Sequence, residues 1–267
     1  MININQNFKK IYLTFACALH LSSNLPLCAD EFDLDDVNLE RHRAHYNSLS
    51  SAKQADAALK SSPQFDEFLS KAQSIAKHYE VDSSMGLRLI HRHFALEEGQ
   101  VMAENYEVVH STPSFVTQPH TLEEAQERGT LPASWIFTDS PEEGGVLFET
   151  SSDPTIKTTS LKLRANPKFF EEMGNALREY KLNHILSIGI LERKDLVAQE
   201  NDWYIENTFI PDSRSVVQLR NIQEKPLGEG VVRTSWAFKE PKKHGCSCWW
   251  VSACYVAVCG GFREHKD

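Results

Sequence analysis

His184-Ile-Leu-Ser-Ile-Gly-Ile-Leu191 opens a series of short apolar runs that decides how this chain folds. Trp203-Tyr-Ile-Glu-Asn-Thr-Phe-Ile210, Ser215-Val-Val-Gln-Leu219, Val231-Val-Arg-Thr-Ser-Trp-Ala-Phe238 and Trp249-Trp-Val-Ser-Ala-Cys-Tyr-Val-Ala-Val258 follow it. Each is rich in β-branched and aromatic residues, and each has strand length. Working back toward the N-terminus, residues 86–94, 100–110, 134–138 and 145–149 read as further strands, and 155–163 alternates weakly. The turn Glu97-Glu98-Gly99 suggests that the runs 86–94 and 100–110 form a hairpin.

Helical signals fall between these runs. Residues 52–59 are rich in Ala and Lys. Ser62-Pro63 reads as a cap and first turn for Phe65, Phe68, Leu69, Ala72 and Ile75, which share one helix face. Thr121-Leu-Glu-Glu124 is a capping box, and Asn166-Pro167 opens a helix with Phe169, Phe170, Met173, Leu177 and Tyr180 along one stripe. Grouped rather than strictly alternating elements predict an α+β fold, with a mainly antiparallel sheet packed against two or three helices, not a doubly wound nucleotide-binding fold.

The first 29 residues read as an export signal: a polar start, the basic pair Lys9-Lys10, a short apolar core over 11–19, and Ala29 at the cut. That core is shorter than the roughly 20 residues that span a bilayer, so no stable transmembrane span is expected. Residues 30–267 read as one α+β domain, with an acidic extension over about 30–48 and a Cys-rich segment over 244–267. Losing Lys9 and Lys10 leaves 26 basic residues against 37 acidic ones, a net charge of -11. Such a balance argues against a nucleic-acid partner. The expected address is the periplasm or the extracellular space.

Four of the six cysteines, Cys246, Cys248, Cys254 and Cys259, crowd the C-terminal segment. In an oxidising compartment two disulfides explain them most simply. A metal site completed by His244 or His265, free buried thiols, or redox chemistry through Cys246 and Cys248 are the alternatives.

His91 and His93 lie two apart in a run read as extended, which sends both imidazoles from one face. Glu97 follows closely enough for its carboxylate, or that of Glu98, to turn back toward them. Two histidines and a carboxylate suit one divalent transition metal such as zinc, iron or manganese. The run Gly86-x4-His91-x-His93-x3-Glu97 is similar to the first metal motif of the cupin family. That resemblance implies a small β-barrel and a metal held by three histidines and a glutamate. It covers this stretch alone, and no later segment around His110, His120 or His184 reproduces the family's second motif.

The chain carries no G-x-S-x-G elbow, phosphate-binding loop, G-x-G-x-x-G opening a helix, or H-E-x-x-H. Two function classes remain as expectations. One is an exported protein that binds a protein or small-molecule partner. The other is a metal-dependent enzyme built on His91-x-His93.

Overall fold

A computed structural model describes residues 37–193, 202–221, 223 and 231–239, and the backbone of 252–256. The helices among these residues are α1 (Leu39–Ser48), α2 (Ala52–Lys60), α3 (Phe65–His78), α4 (Leu122–Glu127), α5 (Pro154–Arg164) and α6 (Pro167–Glu179). The strands are β1 (Met85–Leu89), β2 (Gln100–Val109), β3 (Thr112–Thr121), β4 (Leu131–Phe137), β5 (Gly145–Ser151), β6 (Leu186–Ile190), β7 (Asp202–Phe209), β8 (Arg214–Asn221), β9 (Val232–Arg233), β10 (Ser235–Ala237) and β11 (Ser252–Val256).

The strands join one mixed sheet in the order β10-β1-β6-β4-β5-β2-β3-β8-β7-β11-β9. The β2–β5 and β7–β11 pairs are parallel, and the others are antiparallel. The terminal strands of this order, β10 and β9, are separated along the chain only by Thr234. A single residue spans no more than a few ångströms, so the sheet curls until its two ends meet. The α+β class and the mostly antiparallel sheet agree with the sequence reading, whereas the described residues hold six α-helices rather than two or three.

Alternation sorts the first strands into two faces. Leu87 and Leu89 of β1, Trp135 and Phe137 of β4, and Leu186, Ile188 and Ile190 of β6 share one buried cluster with helical residues. Those include Phe68, Ala72 and Ile75 of α3 and Phe169, Phe170, Met173 and Leu177 of α6, the same stripes that helical spacing marks in the sequence. Burying each large apolar side chain here contributes roughly 1.5–3 kcal/mol. Arg88 lies on the opposite face of β1, where its stem crosses Gly189 of β6. A Cβ at Gly189 would stand 2.6 Å from Arg88 Cδ, so glycine here leaves room for the arginine stem.

Local structure departs from the sequence reading at four places. Strands β1 and β2 do not form a hairpin: β1 pairs with β6 and β10, while β2 turns directly into β3. That turn uses His110 (φ 49°) and Ser111 (φ 65°), both left-handed, as in a type I′ hairpin. Because neither residue is the usual Asn or Gly, the turn left no clear signal. Residues 155–163 are helical in α5, where Asp153 accepts from the Thr155 amide and Pro154 takes the first turn. The acidic extension ends before Leu39, since α1 occupies 39–48 and buries His42 and Tyr46. Finally, α3 begins at Phe65 behind Gln64, not at the expected Ser62-Pro63 cap.

Candidate metal centre

Strand β1 ends at Leu89, and the chain runs on irregularly through His91 and His93. Two backbone bonds hold this segment: Ile90 N–H donates to Ile185 O at 2.8 Å, and Arg92 N–H donates to Ser50 O at 2.9 Å. The imidazoles nonetheless meet, with ring centroids 4.4 Å apart and planes at 65°. Their proximity follows from the two-residue spacing rather than from the extended strand expected there.

Each ring is oriented through its Nδ1. His91 Nδ1 lies 2.8 Å from Leu89 O. A carbonyl only accepts, so Nδ1 carries the proton and Nε2 presents its lone pair. His91 Nε2 is buried and has no hydrogen-bond partner. His93 Nδ1 lies 3.2 Å from Thr208 Oγ1, and its Nε2 lies 3.4 Å from Glu206 Oε1. His91, His93 and Glu206 each offer one ligand atom, and these atoms all fall within 4.8 Å of one another.

Strands β7 and β8 bring in the carboxylate. Glu206 and Thr208 are two apart on β7 and therefore share a face. Ser215 of β8 stands opposite Thr208 in register, and its hydroxyl donates to Glu206 Oε1 at 2.6 Å. Ser215 Oγ also lies 3.2 Å from Thr208 Oγ1, which links the Glu206 and His93 supports.

Burial pushes His91 down to about 3, and neighbouring His93 adds to the effect. Its imidazole is therefore neutral at physiological pH, the state that binds metal. Burial pushes the Glu206 carboxyl up, yet His93, His91, the Ser215 hydroxyl and Arg88 outweigh it, so the net shift is downward and the group is ionised.

Around the centre, the buried charges Glu149, Glu104 and Arg193 stand in pairs, the first with half-buried Arg88. Arg88 bridges Glu149, and Arg193 Nε donates to Glu104 Oε1 at 2.7 Å. Ser151 also donates to that oxygen, at 2.8 Å. Arg88, Glu104, Arg193 and Glu206 border a cavity of about 20 Å³. One water fits such a space.

Glu97 and Glu98 are not in this group. Leu96 is buried and its amide donates to Asn47 Oδ1 at 2.8 Å, which leaves the next two residues facing solvent. Glu97 N–H donates to Gln100 Oε1, closing the turn. Glu206 takes the place expected for Glu97. Its signal in the sequence is an acid inside the apolar run 203–210, because a charge in a buried strand needs a compensating partner. Gly86 has a packing reason of its own, since a Cβ there would lie 2.3 Å from Trp236 O.

No family model, curated protein or solved structure matches this chain.

The similarity of residues 86–97 to the cupin metal motif thus extends to the paired histidines and not to the glutamate. Cys246, Cys248 and Cys259 lie outside the described residues, as do the export segment 1–29 and His244 and His265. Of Cys254 only the backbone is described: it stands level with Glu206 of β7 and Val232 of β9. No helix among the described residues is long and apolar enough to cross a membrane.

Proposed function

We propose that His91, His93 and Glu206 hold one divalent transition-metal ion and that the protein is a metal-dependent enzyme. The observation that carries this reading is His91 Nε2: a fully buried lone pair, aimed by the Leu89 carbonyl, with no protein donor to meet it. A buried polar atom without a partner costs about 1–3 kcal/mol, and a metal bond removes that cost. Three protein ligands of this type leave a coordination position open, as catalytic sites do, whereas structural sites close it. A water in that position serves as nucleophile or gives way to a substrate atom.

Metal analysis of purified protein tests the reading. About one equivalent of metal is expected, lost in the double variant His91→Ala/His93→Ala. A native, folded protein that binds no added zinc, iron, manganese or cobalt would refute it.

A second reading, a partner-binding protein exported by removal of residues 1–29, is favoured by one surface. Phe209 at the end of β7 and Ile210 after it are exposed. A cleft of about 160 Å³ between Val109, Phe209, Arg214 and Gln218 adjoins them. Loss of partner capture in Phe209→Asp, with metal content unchanged, would support this second role.

A further inference from the structure

The curled sheet brings Arg88 of β1, Glu104 of β2, Thr117 of β3, Glu206 of β7, Val217 of β8 and Ser235 of β10 around one cavity of about 20 Å³, which Leu191 and Arg193 complete. Glu206 belongs both to this wall and to the group with His91 and His93, whose ligand atoms lie within 4.8 Å of one another. The cavity therefore borders the candidate metal centre. Apart from half-buried Arg88, every residue of its wall is buried.

Groups that do not yield easily set the size of this space. Arg193 Nε donates to Glu104 Oε1 at 2.7 Å, and its Nη1 donates to Ile190 O and Glu192 O, each at 2.8 Å. Arg88 is paired with Glu149, and its stem crosses Gly189. Moving either arginine aside breaks an ion pair and leaves a buried carboxylate uncompensated. A water molecule needs about 10–15 Å³ of such space, so the cavity has room for one or two non-hydrogen atoms and not for a ring. The wall also selects polarity. A polar ligand meets charges and the hydroxyls of Thr117 and Ser235 there, whereas an apolar one gains little by displacing water from them.

We infer that the open coordination position of the metal faces this cavity and that the site's ligand is a polar species of one or two non-hydrogen atoms, inorganic or one-carbon, such as hydroxide or hydroperoxide. The inference rests on the metal reading above and adds to it the class of ligand. Leu191 and Val217, the apolar part of the wall, would set the size limit, and Val217 stands in register with Glu206.

Cobalt(II)-loaded protein, followed by its visible bands, tests the inference with two probes: cyanide, of two non-hydrogen atoms, and imidazole, of five. Bound cobalt is assayed after each titration. In wild type, cyanide should change the bands and imidazole should leave them as they are. Leu191→Ala and Val217→Ala, which remove carbons from the wall, should each bind imidazole about tenfold or more tighter than wild type, with unchanged cobalt content. Val217→Ala removes less volume, so it serves if Leu191→Ala fails to fold. Imidazole bound by wild type as tightly as cyanide, bands indifferent to cyanide, or no gain for imidazole in a folded variant would overturn the inference while leaving the metal site standing. Failure of the wild-type protein to take up cobalt or any other divalent ion would instead overturn the metal reading, and this inference with it.

Discussion

His93 Nε2 lies 3.4 Å from Glu206 Oε1, joining the segment after β1 to strand β7 near the far end of the sheet order. Neighbours on the same strands complete the arrangement. Thr208 reaches His93 from β7, and Ser215 reaches Glu206 from β8. The centre is a product of sheet curvature, with both supports supplied by the strands that bring the carboxylate.

Glu206 rather than Glu97 should decide metal affinity. Glu206→Gln removes the anionic ligand and is expected to weaken binding by at least 100-fold, whereas Glu97→Gln, in an exposed turn, should leave it unchanged. Competitive titration against a chelating dye measures both. Equal losses in the two variants would return the carboxylate role to the turn after His93.

Thr208 and Ser215 hydrogen-bond to His93 and Glu206, and under the proposed metal reading they would orient these two without being ligands themselves. Thr208→Val and Ser215→Ala are each expected to lower metal affinity by roughly 10–100-fold, the usual cost of losing a ligand's supporting hydrogen bond. Near-native circular dichroism should accompany the loss. Wild-type affinity in both variants would show that the ligands are held by packing alone.

Half-buried Arg88 forms an ion pair with the buried carboxylate of Glu149. Arg88→Met strands the carboxylate and should cost about 3–5 kcal/mol in urea unfolding. Adding Glu149→Leu should recover most of that loss, because the remaining charge is removed as well. A double variant no more stable than the single one would mean that Arg88 acts mainly through its stem, packed across Gly189.

His42 predicts how stability responds to acid. Burial, partly offset by the Leu147 carbonyl, pushes it from 6.5 down to about 4. Between those values the unfolded chain binds a proton that the folded chain refuses, so the group makes stability fall as pH drops. The loss is fully developed below the folded value and amounts to about 3 kcal/mol. Urea unfolding from pH 7 to pH 4 should show a shallower decline in His42→Gln than in wild type, and parallel curves would contradict the assignment.

Helix stripes are local properties, and the sequence alone determined most of them. Phe68, Ala72 and Ile75, or Phe169, Met173 and Leu177, lie on one face because the backbone repeats every 3.6 residues, whatever they later touch. The capping box at Thr121 and the paired imidazoles of His91 and His93 belong to the same class, since residues so near in sequence stay near in space. Helix α5 was missed because threonines at 155, 158 and 159 weaken its pattern, while the cap that sets it lies in Asp153. The β2–β3 turn was missed because His110 and Ser111 adopt left-handed backbone without glycine.

Partnership across the sheet was decided only by tertiary structure. Which strands pair depends on long-range burial, and the curl that brings β9 and β10 together at Thr234 exists only when the whole order has formed. Glu97 is the nearer carboxylate along the chain, but Leu96 anchors its turn in the apolar interior and leaves Glu97 in water. Glu206 is distant along the chain, yet burial removes its hydration and makes compensating partners necessary, and the folded sheet supplies them in His93, Ser215 and Arg88. Sequence proximity thus selected the two histidines, and the balance of burial and charge over the assembled sheet selected the third residue.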